Sequence, residues 1–204
     1  MRVGVQRVRR LAGATAAVLV LSAGLTAWQA RTTASQLHHT AAVPDDVRAL
    51  ADRTWLATAA ALPAHRQCLT GATLDADPDL DERGRYLPDR ATLVVRIPAT
   101  ASQLESALIH ELAHHIEFTC SDHQLLRADF LAAQGLPTST DWAWGRSWEQ
   151  TPSEQYAEAM IVLVRGRRSF HRQMHISRDA VTALRTWATG TQTGRRAATP
   201  PRTP

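Results

Sequence analysis

"TLVVRIPATASQLESALIHELAHHIEF", residues 92–118, is the stretch on which the fold turns. Its first part, Thr92–Ile97, is β-branched and apolar and reads as a strand. After Pro98 the period changes. Leu104, Leu108, Ile109, Leu112 and Ile116 recur at helical spacing, so the second part predicts an amphipathic helix. Ser102 followed by Glu105 has the spacing of a capping box at its start. On that helix His110 and His114 stand four apart, on one face and one turn apart. Two imidazoles so arranged can share one metal ion, and this is the spacing of a zinc site on a helix. Glu111, beside the first histidine, is close enough to a water activated at the metal to take its proton. His115 is rotated off that face and is expected in packing or at the surface. Glu117 is expected to be solvated.

A zinc ion wants a third protein ligand. The chain has no histidine in an H-x-x-G-x-x-H extension. Downstream, "TPSEQYAEAM" (residues 151–160) opens a helix running to about Val164 and sets Glu154 and Glu158 one turn apart. One carboxylate can bind zinc while the other holds a ligating histidine by its second ring nitrogen. A capping role competes for Glu154, because Thr151 and Pro152 precede it at the helix start. "QCLTG" at 67–71 is similar to the metal-binding cysteine context of peptide deformylases and offers Cys68 as a rival ligand. The Gly-rich first motif of those enzymes is absent.

"HELAH" followed by the "EQYAE" stretch resembles the gluzincin class of zinc metallopeptidases. The second stretch is similar to the second zinc-site helix of anthrax lethal factor-like peptidases. The resemblance covers two short helices. It implies a zincin-like α+β fold that hydrolyses peptide bonds, with Zn2+ held by His110, His114 and Glu154. It implies Glu111 as general base and Glu158 as the residue that orients a ligating histidine. It also implies that the strand before the helix, Thr92–Ile97, lies along the cleft and pairs with an extended peptide or protein substrate. Such enzymes can carry a tyrosine just before the third ligand. Here Trp144, Arg146, Ser147 and Trp148 stand in its position, and Arg146, His171 and His175 are left as oxyanion stabilisers. Tyr156 is expected in the core. Two other classes compete. One is a non-catalytic zinc protein whose site is closed by a fourth ligand such as His123 or His171. The other is a disulfide-stapled binding module without metal. Glu111 is not a ligand and serves no purpose in a structural site, which favours the enzyme.

Outward from these helices, the chain reads as α+β: a small antiparallel or mixed sheet from the 72–97 region, packed on several helices with the zinc helix central. Residues 1–34 have a basic start and an apolar run, the layout of a signal peptide or N-terminal membrane anchor. Residues 35–43 read as a linker with solvated His38 and His39, 44–190 as the metallopeptidase domain, and 191–204 as a disordered tail. Helices are expected from Pro44 to Pro63, over Gln124–Ala133 and over Ser177–Ala188. Asp75–Glu82 reads as a solvated acidic turn. Leu80 occupies the position where a calcium loop needs glycine.

The formal net charge is +4, but residues 1–34 hold five arginines and no acid, so the remainder carries −1. That balance makes no case for nucleic acid as a partner. The two cysteines, Cys68 and Cys120, read as one disulfide in an extracytoplasmic protein, secreted or anchored to the outer face of the membrane.

Overall fold

The computed structural model describes residues 37–168 and 173–191. The expected signal or anchor segment (1–34), most of the tail and His171 lie outside the described residues. Among those described, four strands form one mixed sheet beside five α-helices.

The strands are β1 (His38–His39), β2 (Thr73–Asp77), β3 (Gly84–Leu87) and β4 (Thr92–Arg96), in the order β1-β2-β4-β3. β1, β2 and β4 run parallel, and β3 is antiparallel to β4 on the outside. A 3-10 turn at Pro88–Arg90 and Ala91 in the left-handed region (φ 48°) reverse the chain between β3 and β4. Leu93 and Val95 are fully buried, as are Leu74 of β2 and Leu108 of the helix that follows.

Three expectations are corrected here. Residues 35–43 are not a linker as far as they are described: Leu37 and Val43 are buried. The His38 and Thr40 amides donate to the Ala72 and Leu74 carbonyls, each at 3.0 Å. His38 is exposed, whereas His39 is half-buried with its Nε2 at 2.8 Å from Asp52. The acidic stretch from Asp75 begins as strand, with Asp75 and Asp77 on the outer positions and Leu74 and Ala76 inside. Finally, β4 is not an edge. It is paired on both sides, and β3 takes the edge.

The register specifies what that edge offers. Gly84 faces Val95 and Tyr86 faces Leu93, while the Arg96 amide donates to the Arg83 carbonyl at 3.1 Å. Antiparallel pairs alternate between bonded and non-bonded. The main-chain groups of Gly84 and Tyr86 therefore point away from β4.

The helices are α1 (Asp45–Ala61), α2 (Ala101–Thr119), α3 (His123–Ala133), α4 (Pro152–Arg165) and α5 (Arg178–Ala188). α1 buries Val47, Ala51, Trp55 and Ala59, a single i, i+4 row. α2 lies against β3 and β4 on one side and against α1 and α4 on others. Its capping box is formed by Thr100 and Gln103, not by Ser102 and Glu105. Those two instead meet Arg165 of α4, whose guanidinium is 3.0 Å from the Glu105 carboxylate and 3.2 Å from the Ser102 carbonyl. Cys68 and Cys120 form the expected disulfide, with their Cα atoms 5.1 Å apart. It ties the C-terminal cap of α2 to the 3-10 turn at Arg66–Leu69. No described helix is long and apolar enough to cross a membrane.

Candidate metal centre

The i, i+4 spacing on α2 aims the His110 and His114 rings the same way, and α4 crosses that face with Glu154 and Glu158. The two Nε2 atoms are 3.2 Å apart. Glu154 reaches both, with one carboxylate oxygen 3.0 Å from His110 Nε2 and the other 3.6 Å from His114 Nε2. Four ligands around zinc at about 2.0–2.1 Å would be about 3.3 Å from one another. The three observed separations bracket that edge length. Thr151 makes no side-chain cap, so the competing role for Glu154 is not used.

The far ring nitrogens are held as well. His110 Nδ1 lies 3.5 Å from Glu158, and His114 Nδ1 lies 3.4 Å from Glu117. With each Nδ1–H donated to a carboxylate, both Nε2 atoms present lone pairs to the common point. Glu117 is thus not solvated. Its side chain is 8% exposed, accepts from Trp142 Nε1 at 2.6 Å and pairs with Arg127 at 3.3 Å. A signal for it was present: Glu117 is three residues past His114, on the same helical face.

The charges are strongly coupled. Burial pulls His114 down, but the bonds to Glu117 and Glu154 outweigh it and push the imidazole up to about 10. His110 is raised likewise, by Glu154 and Glu158 against burial. Burial acts to raise Glu154, yet the two histidines hold it well below the usual carboxylate range. Such a cluster favours positive charge at its centre. A divalent cation supplies that charge in place of the protons that the two rings otherwise hold against Glu154. The donor set, two imidazoles and one carboxylate, suits zinc.

Glu111 is 5% exposed, and burial raises its carboxyl above the usual range. It does not join the three converging groups. It turns towards β3, where a Cβ on Gly84 would come within 2.7 Å of its Oε1. Both line a cleft of about 660 Å³ that also takes in Tyr86, Phe118, Ala143 and Trp148. The Trp148 ring lies nearly parallel to His110, with centroids 6.0 Å apart, in the loop segment before Glu154. Phe118 is 63% exposed, one turn beyond His114, and 5.8 Å from the Tyr86 ring.

The remaining candidates lie elsewhere. His115 is fully buried. Its Nε2–H donates to the Thr70 carbonyl at 3.2 Å, and its Nδ1 accepts from the Tyr86 hydroxyl at 3.1 Å, so it pins the edge strand to α2. Tyr156 is fully buried in the core, as expected. Arg146 and His175 are exposed and do not line the cleft. His123 is buried against Trp142 and Tyr156 and is not among the converging groups, so it is not a closing ligand. Cys68, being in the disulfide, is not the third ligand. Comparison with protein-family models, curated proteins and solved structures finds no match to the chain.

Proposed function

We propose that this is a zinc-dependent metallopeptidase of zincin-like type, acting on peptides or proteins outside the cytoplasm. The single observation that carries the reading is the convergence of His110, His114 and Glu154 on one point, with Glu111 beside it and uninvolved as a ligand. Zinc bound there would act as a Lewis acid and lower the pKa of a water. Glu158 and Glu117 hold the two imidazoles in the ligating tautomer. Glu111 has burial and a raised pKa, which suit a group that takes a proton from water and returns it to the leaving amine. The water oxygen bonds to the scissile carbonyl carbon, the C–N bond breaks, and the proton parked on Glu111 ends on nitrogen.

The substrate strand pairs with β3, not with Thr92–Ile97. Gly84 and Tyr86 turn their main-chain groups outward from β4 along the cleft, and an extended peptide adds to such an edge by main-chain bonds. The disulfide supports an oxidising compartment.

Two variants, set against the unaltered protein, separate the roles. Glu111→Gln keeps about one zinc per chain and loses hydrolysis of a peptide mixture. Glu154→Ala loses the zinc. The unaltered protein cleaves the mixture in a zinc-dependent way. If it binds zinc yet cleaves nothing, and Glu111→Gln behaves identically, the site is a structural one and the peptidase reading is wrong.

A further inference from the structure

A second group of ligand-type side chains lies at the other end of α2. One ring nitrogen of His65 and the Sγ atoms of Cys68 and Cys120 are all within 4.8 Å of one another. His65 is buried at 6% exposure, and its ring stacks on Trp187 with centroids 3.9 Å apart and planes 8° apart. Its Nε2 is 2.9 Å from the Trp187 carbonyl oxygen. A carbonyl only accepts, so Nε2 carries the proton and Nδ1 of the neutral ring presents a lone pair. That lone pair is aimed at Cys120 Sγ, 3.8 Å away. A disulfide sulfur has no proton to give it.

We propose that reduction of the Cys68–Cys120 disulfide uncovers a second site for zinc or a similar divalent ion, with His65, Cys68 and Cys120 as ligands. Two thiolates and one imidazole are a soft set of the kind that selects zinc. A ligating histidine commonly donates its other ring N–H to a backbone carbonyl, which is how His65 is held before any metal arrives. The Asp122 carboxylate lies 3.6 Å from the same Nδ1. The metal would join the same two segments as the disulfide, the 3-10 turn at Arg66–Leu69 and the cap of α2. One clasp is thus closed by a covalent bond under oxidising conditions and by a metal ion under reducing ones. The proposal does not depend on the peptidase reading.

The chemistry balances with a trialkylphosphine as reductant. Phosphorus attacks one sulfur and the S–S bond breaks. Water supplies the oxygen of the phosphine oxide and the two protons of the thiols. Those protons leave to solvent when the thiolates bind metal.

Cobalt(II) is the probe, because thiolate ligands give it a charge-transfer absorption that histidine and carboxylate do not. The metal-stripped protein is titrated with cobalt before and after phosphine treatment. The expected result is one additional equivalent in the reduced protein, carrying the thiolate band, and a higher Tm for reduced protein with zinc than without. His65→Ala weakens that additional binding by about tenfold or more and leaves uptake by the oxidised protein unchanged. His110→Ala leaves the thiolate band intact. The proposal is overturned if reduction adds no cobalt, or adds it without the band, or if His65→Ala binds the extra ion as tightly. It is also overturned if reduction abolishes the helical circular dichroism signal and cobalt does not restore it.

Discussion

At the scale of single residues, the candidate metal centre depends on side chains that hold other side chains. Glu117 meets His114 Nδ1, Trp142 and Arg127 at once, so it is fixed before it orients the imidazole. Glu117→Ala is expected to lower zinc affinity by about 10–100-fold, as removal of an orienting partner usually does. Competition with a chelating dye measures it, and an unchanged affinity would leave Glu117 only its pairing with Trp142 and Arg127. Gly84 acts through what it lacks. An added methyl would stand 2.7 Å from Glu111 Oε1 and 3.0 Å from its Cγ, so Gly84→Ala displaces the carboxylate. The expected outcome is a large loss of hydrolysis with zinc content and Tm nearly unchanged. Retained activity would show that the carboxylate position is not what limits turnover.

At the scale of elements, α2 carries two of the three candidate ligands and is the centre of the packing. Its start is capped by Thr100, whose hydroxyl accepts from the Gln103 amide while Gln103 reaches back to the Thr100 amide. Thr100→Ala removes that box and is expected to cost about 1 kcal/mol, read as a lower urea midpoint at unchanged slope. A midpoint that does not move would mean that the first turn is held by Arg165 alone. The two-residue offset between the expected and the observed cap has a tertiary cause. Ser102 and Glu105 have the right spacing, but their partner, Arg165, comes from α4, 63 residues beyond Ser102 in the chain. Thr92–Ile97 is a strand as expected over Thr92–Arg96, but its expected place as the edge failed for a similar reason. Thr92–Ile97 has the stronger β pattern because it is buried between two neighbours, and burial is what disqualifies it as an edge.

At the scale of the whole molecule, the disulfide and one buried histidine set the conditions of stability. The bridge spans a separation of 52 residues, worth about 4 kcal/mol in the chain-entropy model. Replacing both cysteines by serine is expected to lower Tm by several degrees while zinc stays at His110, His114 and Glu154. Loss of that zinc from protein that remains folded would mean that the clasp positions the ligands. His123 is fully buried, and burial lowers its pKa to about 4 from 6.5. Between those values the unfolded chain takes up a proton that the folded chain refuses. This contribution is therefore complete above pH 6.5 and is lost as pH falls towards 4, by up to about 3 kcal/mol. Denaturation measured at pH 7 and pH 5 tests it, and His123→Gln should flatten the difference. An equal pH dependence in that variant would assign the effect to other groups.

Periodicity and covalent spacing were legible without any knowledge of the fold. The helical period around residues 104–116 gave α2, and the four-residue step gave two imidazoles on one face. The same step gave Glu154 and Glu158 on another helix, and two cysteines allowed one disulfide. Each follows from 3.6 residues per turn or from a count, so no neighbour had to be known. Only the tertiary structure decided which strand is the edge, that Leu37–Thr40 joins the sheet, that Glu117 is drawn inward to His114, and that His65 faces the cysteines. These depend on which segments distant in the chain lie side by side. A polar side chain such as Glu117 is surface by composition, and it becomes interior when Trp142 and Arg127 arrive from other segments to satisfy it.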